Sequence, residues 1–449
     1  MVTKVFDELN DRLTERTSKG LANAVSEAIG ENALPEGTKL PPIRTVALEL
    51  GISPSTVSTA WRLLAHAGVI RSDGRRGTVV MARSGPGPTR YRRALERSIV
   101  LGLDLSTGVP DPTLLPDLTL ALKNLHRAVT PSSYLDDPVI PSLVEALRED
   151  WPYVAEEFLI VDGAMDGLDQ IASHLLHMGD FVVVENPSFP PLLDLLDALG
   201  VRTIGVDVDD GGLVAAQLKE ALVYRPKAVF LQPRAHNPLG ISMNAKRAAT
   251  LASLLRGTGV FVIEDDSAGA ISATAPMSMG AWLADQTVHV RSFSKSYGPD
   301  LRLAAISGPS LIIDGLRERR LLGQGWTSRL LQSVLLDLIT REQTRAQIAR
   351  AREVYAQRRT LITDELSRLG CSIEGSDGLN LWLSVRDETA ALLYLASRGI
   401  AAAAGSPFAT RGSTHAHIRV TVGLIREDFI RIAGELAAAS RAAPAVSLR

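Results

Sequence analysis

The chain has 449 residues, 45% of them hydrophobic and 22% charged, the composition of a folded protein rather than a disordered one. A single cysteine, Cys371, excludes an intramolecular disulfide framework and a Cys-rich zinc site, and no segment approaches the ~18 consecutive apolar residues that a membrane helix needs. The net charge of −2 offers no global field for nucleic acid, yet it averages a basic front (residues 1–100, 15 basic against 10 acidic) and an acidic body (residues 101–449, 33 against 40).

The first residues, MVTKVFDELNDRL, are acidic and carry no apolar stretch of signal-peptide length, so a cytoplasmic protein is expected. Residues 14–29 read as a helix with Leu21, Val25 and Ile29 on one face. PEGTKLP breaks it and leaves a short strand at 38–40, and residues 42–50 form a second short helix that Gly51 stops. Ser53 followed by Pro54 is an N-cap with the residue best suited to the first helical position. The helix it opens buries Val57, Ala60, Trp61 and Leu64, and its other face carries Ser55, Thr56, Ser58, Thr59 and Arg62. Residues 69–71, the turn SDGRRG and residues 78–81 make a hairpin.

Helix, helix, short turn, helix and hairpin is the order of a winged helix-turn-helix. In that motif hydroxyl side chains at the start of the recognition helix approach bases, and wing-tip arginines meet phosphates. Taken singly, Ser55 and Thr56 are more simply cap chemistry, and Arg75 and Arg76 a solvated turn. The ordered set reverses that reading. The stretch LPEGTKLPPIRTVALELGISPSTVSTAWRLLAHAGVIRSDGRRGTVV resembles the DNA-binding domain of the GntR family, over roughly residues 14–82. The resemblance implies Arg44, Ser55, Thr56 and the wing residues Arg76, Gly77 and Thr78 as DNA contacts, with Arg75 beside them. Ile43 stands at a usually polar position and Arg75-Arg76 replaces a smaller wing pair, which bears on operator preference.

Residues 82–98, ARSGPGPTRYRRALERS, start with Gly, Pro and Ser and then carry Arg83, Arg90, Arg92, Arg93 and Arg97 against Glu96. Such a segment tethers two domains without fixing their angle, either as a solvated linker or by sliding along phosphates.

Beyond residue 100, strand-like runs at 181–187, 201–208, 227–233, 260–266 and 288–294 alternate with helical segments. This predicts a largely parallel sheet covered by helices on both faces, with ligands at the carboxyl ends of its strands. Asn237 follows the third run, Asp265 and Asp266 end the fourth, Ser292 and Lys295 close the fifth, and Arg302 comes seven residues later. Gly163 and Ala164 start a helix whose amides suit a phosphate, and Phe189 offers a flat apolar face. The chain has 8 lysines against 40 arginines, a habit of GC-rich genomes, so a lysine at a strand end stands out. An aldehyde cofactor needs a lysine amine, a carboxylate for its pyridine nitrogen and a cradle for its phosphate. Singly, Lys295 reads as a surface lysine and Asp265 as a turn residue; their joint order is the signal.

This region resembles a fold-type I pyridoxal-phosphate aminotransferase over roughly residues 102–440, on the motif N-P-x-G…E-D-D…S-F-S-K…P-x-L-R. The resemblance implies pyridoxal 5'-phosphate as cofactor, held as an aldimine by Lys295. Asp265 would partner its pyridine nitrogen, Asn237 its ring hydroxyl, Phe189 its ring face, and Gly163, Ala164, Met165, Ser292 and Arg302 its phosphate. It also implies Arg419 as the grip for an effector carboxylate. Tyr134 would reach the phosphate of a neighbouring subunit, hence a homodimer. Three departures stand out: Ser267 replaces a tyrosine, Val139 and Val144 replace Gly and Arg, and Val161 replaces Thr. None touches the lysine, so cofactor binding is expected; together they weigh against full transamination, whose geometry is less tolerant.

A GntR-type front on such a body is similar to the MocR subfamily of transcriptional regulators. The expected organisation is an N-terminal α+β winged helix-turn-helix (1–82), an Arg-rich linker (83–101) and a C-terminal α/β fold-type I domain (102–449; large part about 145–310, small part from about 320). The expected function is a cytoplasmic, nucleoid-associated regulator of a double-stranded DNA operator, using the lysine-bound cofactor to sense an amino compound or the cofactor itself. No metal and no membrane enter this expectation. The alternatives are an active aminotransferase with an accessory DNA-binding domain, and a regulator whose cofactor site is vestigial.

Overall fold

The computed structural model describes residues 2–30, 33–35, 37–66, 70–73, 77–80, 90, 92, 102–127, 133–410 and 415–443. A helix that the periodicity does not anticipate, α1 (Val2–Arg12), opens the first unit; Val5, Phe6 and Leu9 share one helical face and are buried. α2 (Ser18–Gly30) begins four residues later than expected, because Thr17 Oγ1 accepts the Gly20 N–H at 3.0 Å and caps it there. β1 (Lys39–Leu40), α3 (Ile43–Glu49), α4 (Pro54–His66), β2 (Ile70–Asp73) and β3 (Gly77–Val80) follow, with the strands antiparallel in the order β1-β3-β2. Gly51 ends α3 at φ +62°, a left-handed conformation that a side chain would strain.

The cap on α4 is present: Ser53 Oγ accepts the Thr56 N–H at 3.0 Å. Val57, Ala60, Trp61 and Leu64 are buried in one cluster with Leu21, Val25 and Val80. Ser53→Ala is expected to cost about 1 kcal/mol, read as roughly fivefold faster hydrogen exchange in the first turn of α4. Unchanged exchange would mean that the cap does not hold the helix start.

Most of the linker lies outside the described residues. Arg90 does not, and its contacts correct the view of it as part of a free tether. Its backbone N–H donates to Asp194 Oδ1 at 3.1 Å, and its guanidinium donates to Asp197 Oδ2 at 3.0 Å and to Ala409 O at 3.1 Å.

After β4 (Leu103–Asp104) comes the large sheet, formed by β5 (Glu157–Val161), β6 (Phe181–Asn186), β7 (Arg202–Asp209), β8 (Gly212–Leu213), β9 (Ala228–Leu231), β10 (Phe261–Asp266), β11 (Thr287–Ser292) and β12 (Ala304–Gly308). Among the described residues the order is β5-β12-β11-β10-β9-β6-β7-β8. The five runs seen in the sequence are its mutually parallel strands β7, β6, β9, β10 and β11. β12 runs antiparallel to both β11 and β5; its Ala-Ala-Ile-Ser-Gly sequence carries no strand pattern of its own.

Central strands are continuously apolar because both faces are covered. Val182 and Val184 enter one core with Leu168, Leu193 and Leu316, whereas Val183 enters another with Leu218 and Leu251. The 27-residue helix Glu342–Arg368 then leads to the small part, where β13 (Asn380–Val385), β14 (Ile400–Ala401), β15 (Ala403–Ala404) and β16 (Ala416–Thr421) are found. Three of these form a sheet in the order β13-β16-β15, and β14 pairs in parallel with β4, which ties residues 103–104 to the small part. No helix among the described residues is long and apolar enough to cross a membrane.

Candidate cofactor site

The strand ends bring most of the expected residues together. Asp265 is the last residue but one of β10, Lys295 sits in the helical turn Ser294–Tyr297 after β11, and Asn237 follows β9. Phe189 caps the helix Pro190–Ala198 after β6, and Gly163 caps the helix Ala164–Leu175 after β5.

Lys295 Nζ donates to Ser267 Oγ at 3.1 Å. This corrects the expectation that the Ser267 departure leaves the lysine untouched. Ser267 lies two residues beyond Asp265, so its short side chain ends beside the amine. Burial pushes the Lys295 amine below its ordinary range, with Asp265 opposing and Arg419 adding to the effect. Since only the neutral amine attacks an aldehyde, capture of pyridoxal phosphate by the cofactor-free protein is expected to rise with pH and level off with a midpoint below 10.5. A midpoint at or above that value would contradict this placement of the lysine.

Asp265 is buried. Its Oδ2 accepts from Gln232 Nε2 at 2.7 Å, and its Oδ1 has no partner among the described residues. Burial pushes the carboxyl up; the Gln232 hydrogen bond and the Lys295 charge oppose that. A carboxylate oxygen left bare in the interior costs free energy unless a ligand donor meets it, and a protonated pyridine nitrogen is such a donor. The donor set therefore fits the cofactor.

Gln232 is hidden in the sequence because it lies inside the KAVFLQP run, before Pro233, rather than after the end of that run. Gln232 holds Asp265 through Nε2 and accepts the Asn237 N–H at Oε1, at 2.7 Å, which fixes Asp265 and Asn237 to each other. Gln232→Leu is expected to weaken cofactor affinity about tenfold, by titration of the cofactor-free protein. Unchanged affinity would show that Gln232 does not position Asp265.

The Asn237 side-chain oxygen accepts from Asn380 Nδ2 at 3.3 Å, leaving its nitrogen as the donor for a ring oxygen. At the expected phosphate end, Gly163 takes φ +103°, and a Cβ there would lie 3.2 Å from Arg302 Nη2. Arg302, itself left-handed at φ +49°, donates to Asp162 O at 3.4 Å, so its guanidinium lies against the first turn of the helix carrying Ala164 and Met165. Ser292 is buried beside them, its Oγ accepting the Ser294 N–H at 3.3 Å.

From the small part, β16 delivers Arg419, buried, with its guanidinium 5.3 Å over the Phe408 ring and donating to Ser106 O. Gly108 leaves room for it: a Cβ there would lie 3.4 Å from the guanidinium. Tyr134 is not brought to this cluster; it is exposed and stacked on Trp326 at 5.9 Å. Val139 and Val161 are buried in the core, and Val144 packs against it.

Across β10 and β11, alternation sends Glu264, Asp266, His289 and Arg291 to the face opposite Asp265 and Ser292. Asp266 Oδ2 accepts from Arg234 Nη2 at 2.6 Å and lies 3.7 Å from both His289 Nε2 and Arg291 Nε; His289 Nδ1 meets Glu264 at 2.7 Å. Burial alone would raise Asp266, but Arg234, His289 and Arg291 outweigh it and hold the carboxyl far below its ordinary range.

In the first unit, Ser55 and Thr56 hydroxyls meet Ser53 Oγ at 2.7 and 2.8 Å at the exposed start of α4. Arg44 is exposed on the first turn of α3, and Gly77 and Thr78 open β3. Arg75 and Arg76 lie outside the described residues.

A winged helix-turn-helix and a fold-type I aminotransferase-like domain in one chain define a class of two-domain bacterial regulators. Residues 17–80 match the bacterial regulatory proteins of the gntR family, and residues 102–436 match aminotransferase class I and II. The chain belongs to the MocR subfamily of GntR-type transcriptional regulators. It is 34% identical over 421 residues to the vitamin B6 salvage pathway transcriptional repressor PtsJ of Salmonella typhimurium, covering 92% of this chain and 96% of that one. It is 28% identical over 399 residues to the HTH-type transcriptional regulator TauR of Rhodobacter capsulatus, covering 80% and 81%. In fold, it is similar to kynurenine aminotransferase of Pyrococcus horikoshii, with a TM-score of 0.69 at 21% identity over 80% of this chain and 94% of that one.

Proposed function

We propose that the protein is a DNA-binding transcriptional regulator in which pyridoxal 5'-phosphate, held by Lys295, reports an amino compound or the cofactor itself. The observation that carries this reading is a buried lysine amine, bonded to Ser267 and within the field of a buried, half-satisfied carboxylate, Asp265, in a chain that also presents a capped helix-turn-helix. When bound, the cofactor supplies an aldehyde that exchanges reversibly between amines. Lys295 holds it, Asp265 keeps the proton on its pyridine nitrogen, Phe189 covers its ring, and Gly163, Ala164, Met165, Ser292 and Arg302 take its phosphate. Arg419 binds the carboxylate of an amino-acid effector. The resemblance to a repressor of vitamin B6 salvage favours the cofactor itself as the signal.

In this proposal the chain divides at 1–82, 83–101 and 102–449, and two copies form a cytoplasmic, nucleoid-associated homodimer, with Tyr134 serving the neighbouring subunit. Two winged helices then meet two half-sites of one operator. Arg44, Ser55, Thr56, Arg75, Arg76, Gly77 and Thr78 contact the DNA. The test is binding of the purified protein to the DNA upstream of its own gene, at fixed salt, against unrelated DNA. A preference of on the order of 1,000-fold is expected, falling about tenfold in Arg44→Ala. No preference, with or without cofactor, would remove this function.

A further inference from the structure

A cavity lies on the side of β10 and β11 opposite Asp265, and of the residues expected to hold the cofactor only Ser292 also lines it. It holds about 640 Å³, within the ~300–1,000 Å³ of small-molecule sites. Its walls come from the end of the helix Pro141–Arg148, the loop at 270–276, the end of β11 and the first turns of the long helix Glu342–Arg368. Leu147, Phe293 and Ile348 make an apolar side.

The charged side has a surplus of cations. Four arginines line it, Arg234, Arg291, Arg345 and Arg352, against two carboxylates, Glu149 and Asp150. Asp150 accepts from Arg291 at 2.7 Å and Glu149 from Arg345 at 3.0 Å. Among the described residues Arg352 meets only the Ala270 carbonyl, at 2.9 and 3.0 Å. Arg234 pairs with Asp266, a carboxylate behind the wall that His289 and Arg291 also approach, and donates to the Thr274 and Gly269 carbonyls at 3.0 and 3.1 Å. Arg234 and Arg291 are more than nine-tenths buried, and the Nε–H of each makes no hydrogen bond among the described residues, that of Arg291 lying 3.7 Å from Asp266. Buried guanidinium donors left without acceptors favour a ligand that brings oxygens. Tyr297, whose hydroxyl burial pushes up to about 12, adds a wall group that stays protonated.

We propose that this cavity binds a small molecule bearing an oxyanion, phosphate or carboxylate, on an apolar body, at a site separate from that of the cofactor. The proposal does not depend on DNA binding, and the experiment is run on full-length protein both with and without pyridoxal phosphate, so that it does not depend on the cofactor either. Inorganic phosphate and, separately, succinate are titrated by calorimetry at constant ionic strength. Saturable uptake of at least one is expected, weakened about tenfold in the double variant Arg345→Ala/Arg352→Ala. Both side chains are exposed, and an unchanged unfolding transition would show that the variant is folded. Uptake of phosphate alone identifies a phosphate ester as the ligand class, and uptake of succinate alone a carboxylate. No saturable uptake of either, or uptake equal in the double variant, would overturn the proposal.

Discussion

Lys295→Ala is expected to abolish stable retention of pyridoxal phosphate. The wild-type protein should keep the cofactor and its visible absorption through exhaustive dialysis, whereas the variant should lose both. The proposed covalent link to the lysine amine would be removed outright, and the contacts proposed at Asp265, Arg302 and the helix start are noncovalent ones. A loss of at least about a hundredfold in apparent affinity follows from losing that link. Lys295→Arg should not restore retention, because a guanidinium does not lose its proton near neutral pH and cannot attack an aldehyde. Retention of the cofactor by either variant would move the attachment away from Lys295.

Two adjacent carboxylates should respond in opposite ways to the same change. Asp266 is surrounded by Arg234, Arg291 and His289, so Asp266→Asn leaves buried cations uncompensated and is expected to cost about 3–5 kcal/mol of stability. Asp265, the proposed partner of the cofactor ring, has one oxygen unpartnered among the described residues, and burial raises its pKa. Asp265→Asn should therefore leave stability within about 1 kcal/mol of wild type while weakening cofactor binding by at least about tenfold. Denaturant unfolding and cofactor titration of both variants check this. The reverse assignment of stability and affinity losses would refute the two-face description of β10.

The parts of the fold that a linear reading reaches are those with strong local chemistry. Ser53-Pro54, Gly51 and the apolar positions of α4 determine their own local conformation, and the five continuous apolar runs are the five parallel strands. Elements stabilised only by tertiary packing are hidden: α1 has three useful apolar side chains, and β12 is alanine, isoleucine, serine and glycine. The same division holds for the site. Lys295, Asp265 and Asn237 announce themselves at strand ends, because each is polar where an apolar run stops. Gln232 sits inside such a run, and Asn380 and Ser106 come from segments more than a hundred residues distant that β13 and the β4–β14 pairing carry to the site. The contact between Ser267 and the lysine is a consequence of side-chain length, which a motif comparison registers only as a mismatch.

The most direct measurement is the affinity of the full-length protein for the DNA upstream of its own gene, with and without saturating pyridoxal phosphate, for wild type and Lys295→Ala at one salt concentration. Coupling between two sites in one protein is commonly about 5–150-fold, so a change of at least about fivefold is expected in wild type and none in the variant. Equal affinities for wild type in the two conditions, or an equal change in the variant, would contradict a regulator that reads its cofactor through Lys295.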